Sequence, residues 1–146
     1  MNMENNASSH IPINELALET AQVIREFLRE FPQIQLAIVF GSAATGHLRS
    51  DSDLDLAVAA GSALSEPEKI ALIGALAERT GRPIDLIDLH AVTEPLLGQI
   101  VRHGKRIIGS DTLFGNLISR HLFEEADFMP YRRRLLAERR NAWIGK

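Results

Sequence analysis

The order of apolar and polar positions divides the chain into short segments of helical and strand period. From Asn14 to Phe31 the apolar residues Val23, Ile24, Phe27, Leu28 and Phe31 recur at helical spacing, and Pro32 is expected to stop that helix. "IQLAIVF", Ile34–Phe40, is an unbroken apolar run ending at Gly41, which reads as a buried strand. A Gly-Ser turn and a short helix or loop follow, then a second strand over Leu54–Ala59, broken at Gly61. Ser65 and Glu68 have the form of a capping box and open a helix through Ile70, Ile73 and Leu76 that ends at Gly81. "PIDLIDL" predicts a third strand over Ile84–Leu89. Thr93 is expected to cap a helix ending near Gly104, and "KRIIG" to form a shorter fourth strand. Beyond it, Leu113, Phe114, Leu117, Ile118 and His121 lie on one helical stripe, and Pro130 is expected to divide this helix from a last basic one. Helices alternating with strands predict an α/β (α+β) domain, a small mixed sheet of about four strands covered by helices. Within it, residues 1–12 are expected to be disordered, 13–110 to form the core and 111–146 a helical extension of the same domain.

Composition narrows the class. A chain of 146 residues suits one domain, and 45% hydrophobic residues suffice for a core. The net charge of −3 does not announce a nucleic-acid binder. No segment approaches the roughly 18–20 uninterrupted apolar residues of a membrane helix. The start, "MNMENNASSHIPINE", lacks the basic-then-apolar order of a secretory signal. With no cysteine, disulfides and thiolate chemistry are excluded, which fits a cytoplasmic protein. The five histidines are scattered, without the paired spacing of a structural zinc site. Near the end, "YRRRLLAERR" is either a solvated helix face or a basic surface for a partner protein or polyanion.

The unusual stretch is "GSAATGHLRSDSDLDLAV", Gly41–Val58, where Asp53 and Asp55 interrupt an apolar run. Residues two apart on a strand project from the same face, with Cα atoms about 6.6 Å apart. Leu54, Leu56 and Val58 then point the other way, into a core. Two carboxylates about 6 Å apart repel by roughly 2.8 kcal/mol at an effective dielectric of 20. A divalent cation would offset that repulsion, and oxygen ligands without His or Cys suit a hard ion such as Mg²⁺. A third carboxylate comes from "GRPIDLIDLH". Asp85 and Asp88 are an odd number of residues apart, so only one of them can share the face of Asp53 and Asp55, and periodicity does not choose. Gly41 allows close approach of a ligand to the backbone, and Ser42 sits where N–H groups at a helix start can take phosphate oxygens. Anion donors beside a carboxylate cluster match what a nucleoside triphosphate needs. Alone, a Gly-Ser pair is an ordinary turn, and Asp51, His47 and Arg49 read as exposed loop residues, although Arg49 could reach a phosphate.

Taken together, an apolar strand, Gly41-Ser42, ten residues, then Asp53-x-Asp55 opening a second strand resembles the signature G-S-x₁₀-D-x-D of the DNA polymerase β-like nucleotidyltransferases. The short chain resembles the minimal members, and the tail "LFEEADFMPYRRRLLAERR" resembles that of the antitoxin subgroup paired with HEPN-domain toxins. The resemblance implies Mg²⁺-dependent transfer of AMP from ATP, with two ions expected, to a tyrosine hydroxyl of a HEPN RNase that is thereby silenced. It implies that Asp53 and Asp55 bind both metals, that Gly41 and Ser42 hold the triphosphate, and that the third carboxylate is Asp85, at the strand start in "PIDLI". Asp85 would bind one metal and promote deprotonation of the acceptor. Expected partners are ATP and the HEPN toxin, in a homo- or hetero-oligomer, with no membrane and no direct nucleic-acid contact. Two alternatives compete: an aminoglycoside-type nucleotidyltransferase, which would usually carry a larger second domain, and an antitoxin that neutralises its partner by contact alone.

Overall fold

The computed structural model describes residues 15–144. The expected disorder of residues 1–12 lies outside the described residues. The elements run α1 (Glu15–Leu28), β1 (Leu36–Phe40), α2 (Ser42–Thr45), β2 (Leu54–Ala59), α3 (Glu66–Thr80), β3 (Ile84–Asp88), α4 (Leu96–His103), β4 (Lys105–Ile108) and α5 (Asp111–Ile144). The four strands form one mixed sheet in the order β3-β2-β1-β4. β1 is antiparallel to β2 and β4, and β2 is parallel to β3. That parallel pair requires a crossover, which α3 supplies.

Strand alternation divides the sheet's side chains between two cores. Ala37, Val39, Leu54, Leu56 and Val58 face α1 and α3, where they pack with Ile24, Phe27, Leu28, Leu72 and Leu76. Leu36, Ile38 and Ala57 face the other way, against Leu97 and Ile100 of α4 and Leu117 of α5. The odd-numbered positions of β2 therefore share the α4–α5 face. Those helices cover the end of it around Ala57 and leave the end carrying Asp55 less enclosed.

Several boundaries differ from expectation for local reasons. α1 ends at Leu28 rather than Phe31, because a residue before proline is driven out of the helical region and residues 29–31 close as turns instead. β1 begins at Leu36, after Ile34 N–H has turned back to Phe31 O. The Ser65 capping box forms as expected, with Glu68 N–H donating to Ser65 Oγ at 3.2 Å and Ser65 N–H to Glu68 Oε1 at 2.9 Å. Thr93, by contrast, does not cap α4: that helix starts at Leu96 behind Pro95, and the Glu94 carboxylate takes the Gly98 N–H. Pro130 does not divide the last helix either, since α5 runs without interruption from Asp111 to Ile144. Proline removes one main-chain donor, and helix formers such as Glu124–Ala126 and Leu135–Arg139 on either side carry the helix across.

The base of α5 is fastened by polar contacts that centre on the buried His121. Arg120 donates to the carbonyls of Leu89 and Val92, and to Glu124. His121, 4% exposed, sits between the Glu94 and Glu125 carboxylates, and Arg102 pairs with Glu125. In the basic tail, Arg133, Arg134 and Arg139 are exposed. Among the described residues no helix is long and apolar enough to cross a membrane.

Candidate active site

The site is built where β1 ends, β2 begins and β3 begins. Because β2 and β3 are parallel and in register, Asp55 lies directly beside Asp85 on the same face of the sheet. Asp88 pairs with Val58 and points to the opposite face, where it is 5% exposed. Its two oxygens accept the N–H groups of Leu64 and His90, at 2.8 and 2.9 Å. Asp88 is thus a cap for neighbouring turns, and of the two candidates left open by periodicity only Asp85 joins Asp55.

Asp53 is exposed just before β2, Asp85 is exposed, and Asp55 is partly enclosed. Burial pushes the Asp55 carboxyl up from 3.8 to about 6, helped by a hydrogen bond with Asp85 and by the negative charges of Asp85 and Asp53. Two carboxyls can share a hydrogen bond only when one holds a proton. A bound cation would substitute for that proton. Among the described residues no trio of carboxylate or imidazole groups forms a closed cation cage. Mg²⁺ usually binds one or two carboxylates and completes its shell with water and substrate phosphates. Asp55 and Asp85, side by side on adjacent strands, offer the oxygen donors such a hard ion takes.

Gly41 ends β1 with φ of +66° and precedes α2. A Cβ built on it would lie 2.2 Å from Asp55 Oδ2, so the backbone conformation disfavours any side chain here and one that did fit would push the Asp55 carboxylate aside. The Gly41 backbone is consequently in touch with the carboxylate cluster. Ser42 opens α2 half-exposed, and the N–H groups of Ala44 and Thr45 close that turn onto Gly41 O. His47 and Arg49 are exposed on the loop beyond.

One contributor has no local motif. Arg82, 7% exposed, donates from Nη1 to the carbonyls of Arg49 and Ser52, at 2.7 and 3.0 Å. Its only outward sign in the sequence is a charged residue between Gly81 and Pro83, at the entrance to an apolar strand.

The model of the family "Polymerase beta, Nucleotidyltransferase" matches residues 22–113, from α1 through β4 into α5. The chain belongs to this nucleotidyltransferase family. It is 32% identical over 100 residues to protein adenylyltransferase MntA of Shewanella oneidensis, covering 66% of this chain and 72% of that protein. A crystal structure of a toxin–antitoxin with AMP-PNP superposes with a TM-score of 0.73 at 26% identity, over 81% of this chain and 96% of the other. A complex of a tri-AMPylated Shewanella oneidensis HEPN toxin with an MNT antitoxin has the same fold, with a TM-score of 0.70 at 24% identity, over 84% and 97% of the two chains. The nucleotidyltransferase core thus coincides with the sheet and helices that bring Gly41, Ser42, Asp53, Asp55 and Asp85 to one end of the molecule.

Proposed function

We propose that the protein transfers AMP from ATP to a tyrosine hydroxyl of a HEPN-domain toxin and thereby acts as its antitoxin. The observation that carries this reading is the juxtaposition of Asp55 with Asp85, with Asp53 close enough to act on Asp55 and the Gly41 backbone lying against it. The adenylyltransferase relative, at 32% identity, supports a protein acceptor, and the AMP-PNP complex supports an adenine nucleotide and a toxin partner. A cytoplasmic setting, where ATP is available, belongs to the same proposal.

Asp53, Asp55 and Asp85 would hold two Mg²⁺ ions. When bound, these would supply charge neutralisation of the triphosphate oxygens. Gly41 and Ser42 would hold triphosphate oxygens through backbone N–H groups and one hydroxyl. The acceptor oxygen attacks the α-phosphorus, an O–P bond forms, and the bridging O–P bond to the β-phosphate breaks. Pyrophosphate leaves with that electron pair. The acceptor's proton passes to Asp85, which is exposed and so reachable by a protein side chain.

The experiment is transfer of label from ATP carrying a labelled α-phosphate to the purified HEPN partner, in the presence of Mg²⁺. Label retained on the partner after denaturation supports the reading. Full silencing of the toxin with no label transferred would favour neutralisation by contact.

A further inference from the structure

Resting on the reading of the site as a metal–nucleotide centre, we infer that Arg82 is a positioning residue that fixes the Asp53-bearing loop to the start of the Asp85-bearing strand. Residues 49–52 form a turn in which Arg49 N–H donates to Ser52 Oγ and Ser52 N–H to Arg49 O, both at 3.0 Å. The first and last carbonyls of that turn, Arg49 O and Ser52 O, accept from the single nitrogen Nη1 of Arg82. Two residues past Ser52, Leu54 N–H donates to Pro83 O at 2.9 Å. The segment 49–54 is therefore laced to residues 82–83 on both sides of Asp53. Two residues after Pro83 comes Asp85, beside Asp55.

The chemistry of Arg82 argues for geometry rather than stability. Its guanidinium is buried on neutral carbonyls and, among the described residues, has no carboxylate partner and no hydrogen-bond partner for Nε. A buried cation satisfied in this incomplete way is a poor stabiliser. What it achieves is a rigid fork that sets two carbonyls at one spacing. Asp53, exposed and ahead of the strand ladder, has no ladder hydrogen bonds of its own to fix it. The two lacings around it hold its carboxylate in register with Asp55 and Asp85.

The test uses the full chain and the variants R82K and R82M. Hydrogen–deuterium exchange is measured along the backbone, and Mn²⁺ is titrated in the presence of AMP-PNP. R82M should exchange faster at residues 49–54 while α1, α3 and β1 keep their protection. Its Mn²⁺ affinity should fall on the order of 10–100-fold, the usual effect of losing a group that orients metal ligands. R82K keeps a donor on a stem one bond shorter, so it should fall between R82M and wild type in both readouts. If R82M does not fold, R82K carries the same two tests. Unchanged exchange at 49–54, unchanged Mn²⁺ affinity, or protection lost evenly over the chain would overturn the inference. D53N serves as control. If it binds Mn²⁺ and AMP-PNP as wild type does, the reading of the site has failed, and the exchange data alone decide the tether.

Discussion

Asp55 is a carboxyl acted on by burial, by a neighbour's hydrogen bond and by two like charges. Because its folded-state value of about 6 lies above the ordinary 3.8, the folded protein holds the proton more tightly than the unfolded chain. Stability therefore falls as pH rises through that window, and the penalty is fully present above it. Without metal, Asp55→Asn should melt at or above wild type at about pH 8, with the difference closing near pH 4, and transfer should be abolished. Thermal melts across pH check the first part and label transfer the second. Gly41→Ala should abolish transfer, by pushing the Asp55 carboxylate aside, and lower stability by about 1–3 kcal/mol from backbone strain. Ser42→Ala should be milder, since one hydroxyl contact is worth about 0.5–1.5 kcal/mol; steady-state kinetics over a range of ATP will rank the two. Asp85→Asn should stop transfer while nucleotide binding persists. Asp88→Asn should keep transfer near wild type and lose about 1–3 kcal/mol of stability, because an amide has one acceptor oxygen for two backbone N–H groups. Parallel melts and binding assays separate these outcomes.

At the level of elements, the parts legible in the sequence are those written in local chemistry. The apolar runs of β1 and β2 and the Ser65–Glu68 box each specify their own conformation, and all three form. So does the short Gly41-Ser42 turn, because the positive φ at Gly41 favours glycine. The choice between Asp85 and Asp88 is not local. It depends on β2 and β3 being parallel and in register, which periodicity within either strand cannot reveal. Arg82 and the contacts that fasten α5 to other elements are illegible for the same reason, since those partners lie 23 or more residues away in sequence. Thr93 is no guide to the start of α4, which lies behind Pro95 at Leu96, and Pro130 is no guide to an end, since α5 continues through it. The His121 contact with Glu94 ties α5 to the loop before α4, and the Arg102–Glu125 pair ties it to α4 itself. His121→Leu should cost roughly 2–4 kcal/mol by leaving one oxygen of the buried Glu94 carboxylate without its side-chain partner. Transfer by the folded fraction should be unchanged, because the lesion lies among α4, α5 and their loop; denaturant unfolding with activity normalised to folded protein checks both.

For the whole molecule, the architecture separates two jobs. One end of the sheet gathers Gly41, Ser42, Asp53, Asp55 and Asp85, while α4 and α5 close the other end of the same face over Ala57 and Ile38. The sheet thus supplies a rigid base on which an exposed Asp85 can meet a hydroxyl carried by a large partner. The measurement that bears most directly on this account is the intact mass of the HEPN partner after incubation with this protein, ATP and Mg²⁺. The wild type should add one or more AMP units, and Asp53→Asn and Asp55→Asn, folded and still able to bind the partner, should add none. A partner of unchanged mass with the wild type, or AMP addition that persists in both aspartate variants, would contradict it.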